Sequence, residues 1–288
     1  MLIVGCGDVG HRIALRKQAE GGTVRCLVRS RESAERLSGL GLNTVITDLD
    51  TESPVAIAGK DAERIFYLAP PPVTGTTDPR MLRFLHALPH DGSQRIVYIS
   101  TTGVYGDCQG EWVDEQRPPN PQVDRARRRH DAERQLLAWR DENGAELVIL
   151  RVAGIYGPGK LPISRIKKQV PMIGEADAPW TNRIHIDDLV SVCEAAMRRG
   201  ADGEIYNVSD GQPGNMRDYF NRVADHLGLP RPPLISLADA QATLSSGMLS
   251  YLGESRRLDN RKMLRDLGVA LRHPDLASGL AACEKEPV

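Results

Sequence analysis

Short apolar runs alternate with amphipathic or charged stretches along the first half of the chain. The apolar runs are rich in β-branched residues and are bounded by Gly, Pro and Asn, which is typical of buried strands. They predict strands at residues 1–4, 23–28, 43–46, 64–68, 95–99 and 145–150, and the stretches between them predict helices, among them 32–40, 54–59, 79–88 and 123–140. This alternation predicts an α/β fold with a doubly wound parallel sheet and helices on both faces.

The first predicted strand ends in a glycine-rich turn, Gly5-Cys6-Gly7-Asp8-Val9-Gly10, and a helix that runs to residue 20 follows. Strand, Gly-x-Gly-x-x-Gly and helix in this order are typical of a dinucleotide-binding unit. Gly5 would make the tight turn, Gly7 would let a diphosphate approach the backbone, and Gly10 would let helix and strand pack closely. The alternative is a glycine turn that binds nothing. We expect cofactor contacts from this turn, at Gly5, Gly7, Asp8, Val9 and Gly10.

The exit of the second predicted strand indicates which dinucleotide is bound. Arg29 and Ser30 stand about where such folds place the residue that meets the adenosine ribose. An acidic residue there would accept from the 2′-hydroxyl of NAD, whereas a guanidinium and a serine suit a 2′-phosphate. We therefore expect NADP rather than NAD, the alternative being a solvated arginine.

Two further segments are expected beside the cofactor. Asp48 follows the third strand and could accept from the adenine amino group. The fourth strand ends in a proline-rich loop over residues 69–75, and loops at the carboxyl ends of parallel strands line the ligand crevice. Leu68, Ala69 and Pro70 are expected to wall the cofactor.

Composition excludes several other classes. The chain has 288 residues, 41% of them hydrophobic, with 37 Lys and Arg against 38 Asp and Glu, a balance that gives no indication of a nucleic-acid or membrane partner. No apolar run reaches the ~18 residues of a membrane helix, and a strand that begins at residue 2 leaves no room for a cleaved leader, so we expect a cytoplasmic protein. The five cysteines form no Cys-x-x-Cys pair. We expect reduced structural thiols and no metal site.

A set of motifs spread over nearly the whole chain resembles the extended short-chain dehydrogenase/reductases, the NAD-dependent epimerase/dehydratase proteins, many of which act on nucleotide sugars. The motifs are the Ser-Thr-Thr-Gly-Val-Tyr-Gly run at 100–106, Glu115, the prolines of 118–121, Leu150-Arg151, the Tyr-Gly-Pro-Gly run at 156–159, and the segments 183–189, 206–210 and 257–268. The glycine turn is one residue shorter than the family's usual Gly-x-x-Gly-x-x-Gly. The resemblance implies a Rossmann-like fold, a small-molecule substrate and, as in many members, a homodimer.

The resemblance also implies a catalytic arrangement, from which this chain departs. The family uses a Ser or Thr after the fifth strand together with a Tyr-x-x-x-Lys pair on the next helix. Thr101 matches the first position, but counting back from Ala132-Glu133 places Arg125 at the tyrosine position and Arg129 at the lysine position. A guanidinium does not exchange its proton near neutral pH, so Arg125 cannot act as the phenol does. Arg129 could still hold the cofactor ribose, with Val152 beside the cofactor.

Another group must then handle the proton. Tyr105, close to Thr101 in sequence, is the stronger candidate. Tyr156 is the other candidate. It belongs to a literal Tyr-x-x-x-Lys with Lys160, but Gly157, Pro158 and Gly159 forbid a regular helix there, so we interpret that pair as a loop, which follows the sixth strand and could face substrate. For Arg125 and its neighbours Arg127 and Arg128, a solvated basic helix face is the alternative.

After residue 162 the α/β rhythm gives way to shorter elements, which in the family form a small lobe over the substrate. We expect a dinucleotide-binding domain at 1–160, to which a strand and helix near 181–199 return, and a mainly substrate-binding lobe at 161–288. Candidates for contact with a diphosphate are Arg183, Arg256 and Arg257, although surface positions are equally compatible. His185 is expected to pack at a strand end, and Asp187 or Asp188 to cap the following helix.

Two functions are compatible with these residues. The first is an NADP-dependent oxidoreductase or epimerase/dehydratase acting on a nucleotide sugar or a related small carbonyl or alcohol compound. In it, Thr101 polarises the reacting oxygen, Arg129 positions the ribose, and Tyr105 or a water handles the proton. The second is an NADP-binding sensor or regulatory protein with little or no turnover, which the two arginines favour.

Replacing Arg29 by Asp tests the predicted cofactor preference. A charge-assisted hydrogen bond contributes about 1.5–3 kcal/mol, so the affinity for NADPH relative to NADH should fall by about 10- to 100-fold. Fluorescence titration of both nucleotides measures the ratio. An unchanged ratio would show that Arg29 does not contact the 2′-phosphate.

Overall fold

The computed structural model describes residues 1–51, 62–175, 177–243, 249 and 252–283. The helix predicted at 54–59 lies outside these residues. The described strands are β1 (Leu2–Val4), β2 (Arg25–Val28), β3 (Asn43–Ile46), β4 (Arg64–Tyr67), β5 (Arg95–Thr101), β6 (Trp112–Val113), β7 (Glu146–Val152), β8 (Gly154–Tyr156), β9 (Met172–Ile173), β10 (Trp180–Thr181), β11 (Arg183–His185), β12 (Ile205–Val208), β13 (Gly214–Asn215), β14 (Leu234–Ile235) and β15 (Arg257–Leu258). The described helices are α1 (Asp8–Ala19), α2 (Arg31–Ser38), α3 (Pro79–His86), α4 (Asp124–Asn143), α5 (Ile163–Lys167), α6 (Ile186–Arg199), α7 (Met216–Leu227), α8 (Leu237–Thr243), α9 (Arg261–Leu267) and α10 (Leu276–Ala281).

Seven strands form one parallel sheet in the order β12-β7-β5-β4-β1-β2-β3. The chain winds outward from β1 in one direction to β3, and then crosses back to β4 on the other side of β1. In such sheets ligands bind outside the carboxyl ends of the strands where the order reverses, here between β1 and β4. The predicted α/β fold with a doubly wound, Rossmann-like sheet is confirmed.

Both faces of the sheet are covered, because successive side chains of each strand point to opposite faces. Ile3 and Phe66 belong to a buried cluster on one face, which includes residues of α1 and α6. Leu2 and Tyr67 belong to a second cluster on the other face, which includes residues of α3 and α4. The sheet is therefore the centre of the core, and its strand ends are left to form a binding site.

The turn after β1 needs two of its glycines for packing. Gly5 has φ +80°, and a Cβ there would lie 2.5 Å from the Cα and N atoms of Ala69. A Cβ at Gly10 would lie 3.0 Å from Ile3 and 3.3 Å from Leu68, so α1 crosses β1 and the end of β4 at the shortest possible distance. A Cβ at Gly7 would meet nothing within 4 Å. Gly5 and Gly10 fix the turn, and Gly7 leaves open space in front of α1.

Several elements are longer than the hydrophobic pattern predicts. β5 continues to Thr101 and β7 continues to Val152. These two residues are register partners at the carboxyl ends of their strands. The α/β alternation also does not end near residue 162. The helix α6 packs on the sheet beside α1, and β12 adds a seventh strand against β7. Long-range pairing decided these extensions.

A smaller apolar cluster lies apart from the sheet. It includes Ile166, Met172, Phe220 and Leu280 from α5, β9, α7 and α10, and Tyr156 from β8. All five cysteines are buried. Within the described ranges, no helix combines the length and hydropathy that crossing a bilayer requires.

Replacing Gly5 by Ala should lower the free energy of unfolding by about 3 kcal/mol, because it adds left-handed strain to an overlap with the backbone of Ala69. Urea denaturation measures the change. The matched control is Gly7→Ala, where the Cβ has space and φ is −81°. The control should change stability by less than about 1 kcal/mol. Equal unfolding midpoints for the two variants would contradict this account of the turn.

Candidate active site

A cavity of about 810 Å³ lies at the carboxyl ends of β5 and β7, between the sheet and the smaller cluster. Thr101 and Val152 line it from the sheet, and Arg125 and Arg129 line it from α4. The opposite wall is formed by residues of β8, of the segments that follow it and of α7. It includes Tyr156, Lys160, Arg165, Arg183, Tyr219 and Arg256. The structure therefore brings the expected residues Thr101, Arg125, Arg129 and Val152 into one cavity.

Thr101 is the last residue of β5 and caps the short 3₁₀ turn of residues 102–105. Its Oγ1 accepts a hydrogen bond from the backbone N–H of Gly103 at 3.2 Å. The oxygen is thus oriented by the turn, while the hydroxyl proton is available for donation. The side chain is suited to polarise an oxygen atom of a ligand in the cavity.

Arg129 reaches from α4 to the ends of two strands. Its Nη1 donates to the carbonyl oxygen of Ile99 at 2.8 Å and, at 3.4 Å each, to the carbonyl of Ala69 and the hydroxyl of Tyr98. These contacts use one of the three guanidinium nitrogens. The contacts hold the cation at the junction of β4 and β5, where Nε and Nη2 carry the donors that a ribose diol would require.

Arg125 lies one helical turn before Arg129, so both side chains share one face of α4. Both line the cavity, and both are partly buried. Of the two neighbours expected on a solvated face, Arg127 is exposed and pairs with Asp124 at 2.8 Å, whereas Arg128 is buried. The solvated basic face thus applies to Arg127 and not to Arg128.

A buried ion pair lies beneath the cavity. Arg151 of β7 donates to Glu133 of α4 at 2.8 and 3.2 Å, and the hydroxyl of Ser100 donates to the same carboxylate. Both charged side chains are 3% exposed or less. Burial alone would lower the pKa of Arg151, but the hydrogen bonds and charge of Glu133 outweigh burial and raise it. The pair ties α4 to β7, between β5 and β12 of the sheet.

Tyr105 does not reach the cavity, which corrects its assignment as the proton donor. Its ring is 1% exposed and lies 4.8 Å below the guanidinium of Arg151, and its hydroxyl donates to Asn207 at 2.8 Å. Burial raises the pKa of Tyr105 to about 12. The side-chain amide of Asn207 in turn donates to the carbonyl of Val113, and its backbone N–H donates to Oε1 of Glu115. The motif tyrosine therefore joins β12 to the loop after β5.

Tyr156 lines the cavity, but its hydroxyl donates away from it, to the carbonyl of Asp275 at 3.2 Å. Burial raises its pKa above the ordinary value. His185 is fully buried at the end of β11, where it was expected to pack, and its ring lies 5.3 Å from that of Tyr156. Neither side chain is presented as a ready proton donor.

The cap of α6 differs from the expectation. The Nδ1 of His185 accepts from the backbone N–H of Asp187 at 3.3 Å, so the histidine is the N-cap rather than Asp187 or Asp188. Asp187 instead pairs with Arg12 of α1 at 3.1 Å. Asp188 accepts from the backbone N–H groups of residues 272 and 273. Both carboxylates therefore tie α6 to other segments.

His185, Asp187 and His273 bring three possible metal ligand atoms within 4.8 Å of one another. Nδ1 of His185 already accepts from a backbone N–H, and the carboxylate of Asp187 is already paired with Arg12. These contacts give the cluster a structural explanation, and we assign no metal to it.

The residues expected at the adenosine end lie along the carboxyl ends of β2, β3 and β4. Arg29 is exposed, and Ser30 caps α2 by accepting from the N–H of Ser33 at 3.2 Å. Asp48 accepts from the N–H of Asp50 at 2.9 Å. Leu68 and Ala69 follow β4, and the carbonyl of Pro70 accepts from Arg80 at 2.9 Å. A dinucleotide fits this crevice, because Gly7 leaves the N-terminus of α1 open beside it.

The three arginines proposed for a diphosphate are in different places. Arg183 and Arg256 line the cavity, and Arg256 pairs with Glu254 at 3.0 Å. Arg257 is held elsewhere, with its guanidinium 5.5 Å from the ring centroid of Trp112 and 5.3 Å from that of Trp180. Sequence reasoning missed Arg165, Tyr219 and Glu254, and it interpreted the segment of Lys160 as a loop that could face substrate. Lys160 and Glu254 lie outside helices and strands, where no periodic signal places a side chain.

Fold and cavity together are those of a Rossmann-like α/β protein with a ligand-sized cavity at the carboxyl ends of its strands. The family model for the NAD dependent epimerase/dehydratase family matches residues 1–209, and the chain belongs to that family. The protein is therefore of the NAD(P)-dependent epimerase/dehydratase type, with a nicotinamide cofactor.

Individual relatives are distant but cover the whole chain. Protein YeeZ of Escherichia coli is 25% identical over 95% of this chain and 96% of its own length. A functionally unknown conserved protein from Silicibacter pomeroyi superposes with a TM-score of 0.84 at 29% identity, covering 98% and 96% of the two chains. A dTDP-glucose 4,6-dehydratase double mutant from Streptomyces venezuelae, with NAD bound, gives 0.80 at 21%, covering 98% and 95%. At 21% identity, the similarity to this dehydratase shows that the two proteins share a fold.

Replacing Glu133 by Gln should lower the free energy of unfolding by about 3–5 kcal/mol, because Arg151 would keep a buried charge without a counter-ion. The double variant Glu133→Gln, Arg151→Met should recover part of that loss, since it removes the unpaired charge. Chemical denaturation of the three proteins measures the coupling. A double variant less stable than Glu133→Gln would contradict the assignment of the pair.

Proposed function

We propose that the protein is an NADP-dependent reductase that transfers hydride to the carbonyl group of a small anionic compound, with nucleotide sugars as the first class to test. The observation that carries the proposal is the pair of guanidinium groups, Arg125 and Arg129, lining the cavity with Thr101. They occupy the positions at which the family has a tyrosine and a lysine.

The part that these groups would take in hydride transfer follows from their chemistry. Reduction of a carbonyl places negative charge on its oxygen, and fixed donors aimed at that oxygen lower the barrier. Thr101 can donate its hydroxyl proton, and Arg125 supplies a permanent positive charge. NADPH, when bound, supplies the hydride, and water supplies the proton. In the reverse direction the hydroxide formed from that water takes the proton of the alcohol, because a guanidinium does not exchange its proton near neutral pH.

The charge of the cavity supports an anionic substrate. Its lining contains six basic side chains, Arg125, Arg129, Lys160, Arg165, Arg183 and Arg256, and one acidic side chain, Glu254. Arginine forks are well matched to phosphate and carboxylate oxygens. A nucleoside diphosphate sugar has both the charge and the size for a cavity of about 810 Å³. A dTDP-glucose dehydratase with the same fold adds support for this class.

The preference for NADP is part of the proposal. Arg29 is exposed at the carboxyl end of β2, and the next residues begin α2, whose first turn presents backbone N–H groups. A guanidinium beside a helix N-terminus suits a 2′-phosphate.

A second candidate is an NADP-binding sensor with little or no turnover. It is favoured by the three contacts of Arg129 with groups of the protein, because a cation engaged in this way stabilises the crevice whether or not chemistry occurs. Purified protein that binds NADPH but does not oxidise it against a panel of carbonyl compounds and 4-keto nucleotide sugars would favour the sensor. NADPH oxidation with any of them supports the reductase.

Arg125→Met should lower kcat of NADPH-dependent reduction by about 100-fold, through loss of a preorganised charge at the developing oxyanion. The matched control is Arg127→Met, on the same helix but exposed and paired with Asp124, which should change kcat by less than about twofold. Absorbance at the NADPH band measures both rates. Equal rates for the two variants would contradict the role of Arg125.

Tyr105→Phe separates the corrected assignment from the sequence-based one. Because its hydroxyl donates to Asn207 and not into the cavity, kcat should stay within about threefold, while stability falls by about 1 kcal/mol. The pH profile of kcat should also show no acid group titrating between about pH 6 and 9, the range in which an activated phenol acts. A loss of turnover of about 100-fold in this variant would restore Tyr105 as the proton donor.

A further inference from the structure

Lys160 links the wall of the substrate cavity to the turn that faces the cofactor. Its Nζ lies 2.9 Å from Oδ2 of Asp8, the first residue of α1. The side chains are 28% and 34% exposed, so the pair borders open space. Asp8 also accepts from Arg12 at 3.3 Å. Burial works to raise the pKa of Asp8, but the hydrogen bonds and charges of Lys160 and Arg12 outweigh it, so the pKa lies below its ordinary value.

The loop that carries Lys160 is built to deliver it there. Gly157 and Gly159 have φ values of +141° and +74°, and the backbone N–H of Lys160 donates to the carbonyl of Gly157 at 3.0 Å. A Cβ at Gly157 would lie 2.8 Å from Ile186 at the start of α6. The turn is thus packed against α6, which lies beside α1. This geometry sends the lysine side chain toward the glycine turn, and the two glycines that forbid a helix are what permit it.

Lys160 compensates the negative charge that Asp8 places at the first turn of α1. The first turn of α1 presents unpaired N–H groups and the positive end of the helix dipole, which favour an anion. A carboxylate at this position would repel an incoming diphosphate. The ammonium group compensates that charge, and it has three N–H donors, of which the contact with Asp8 uses one.

We propose that Lys160 is a cofactor-binding residue, which holds the diphosphate of the dinucleotide from the cavity side while Asp8 keeps its ammonium in position. The diphosphate would then lie between the first turn of α1, over Gly7, and the loop after β8. This role rests on the nicotinamide cofactor and does not depend on the identity of the substrate or on turnover. It also connects cofactor binding to a loop that lines the substrate cavity.

A double-mutant cycle tests the proposal with affinities alone. The proteins are the unsubstituted chain, Lys160→Met, Asp8→Asn and the double variant, with Lys167→Met, an exposed lysine of α5, as control. The probes are NADPH, followed by fluorescence, and ADP and adenosine, followed by competition against it. ADP carries the diphosphate and adenosine does not.

If Lys160 contacts the diphosphate, Lys160→Met should raise the Kd of NADPH and of ADP about 10-fold or more and that of adenosine less than twofold. The double variant should still bind NADPH at least about fivefold more weakly than Asp8→Asn. A double variant that binds as well as Asp8→Asn would mean that Lys160 only neutralises Asp8, and the proposal would be wrong. Equal losses for ADP and adenosine would overturn it as well.

Failure of the proposal is distinguishable from failure of the cofactor assignment. If the unsubstituted chain binds neither NADPH nor NADH at millimolar concentration, the proposed function and the role of Lys160 both fail. If it binds NADPH and Lys160→Met binds equally well, only the role of Lys160 fails. Lys167→Met should match the unsubstituted chain, which excludes a general effect of removing one positive charge.

Discussion

The buried ion pair between Glu133 and Arg151 is the constraint on which the site depends. Arg125, Arg129 and Glu133 follow one another at intervals of four residues and share one face of α4. Because Glu133 is bound to β7, a strand with a neighbour on each side, the rotation of α4 is fixed and the two arginines point to the strand ends. Each of these buried charges is stabilised by the other. A shift of α4 along its axis would therefore leave a charge without its counter-ion in an apolar interior.

This constraint separates the framework of the family from its usual chemistry. The helix, its buried glutamate and the threonine at the end of β5 are in place, and the guanidinium groups of Arg125 and Arg129 line the cavity beside them. Arg129 donates hydrogen bonds to backbone carbonyls at the ends of β4 and β5. A permanent cation can hold a ribose or stabilise an oxyanion, but it cannot accept and return a proton. The site is therefore organised for binding negative charge and for steps in which negative charge develops.

The two motif tyrosines show how burial decides a role that residue type leaves open. The hydroxyl of Tyr105 donates a hydrogen bond to Asn207, and the hydroxyl of Tyr156 donates one to a backbone carbonyl near α10. Both hold segments of the chain together, and burial raises the pKa of each. Lys160 is the reverse case, because a loop with no periodic pattern brings a lysine to the glycine turn 152 positions earlier in the chain. Its contact joins the cofactor crevice to the substrate cavity.

The sequence by itself determined the parallel sheet, the glycine turn and the shared helix face of Arg125 and Arg129, because alternation, φ-permissive glycines and helical spacing are local properties of the chain. It also placed Thr101 and Val152 near the site. Only the tertiary structure decided that Tyr105 turns away from the cavity, that β12 completes the sheet, that His185 caps α6, and that Lys160 faces Asp8. Each of these depends on a partner distant in the sequence, and the direction of a side chain in a loop is set by what it packs against.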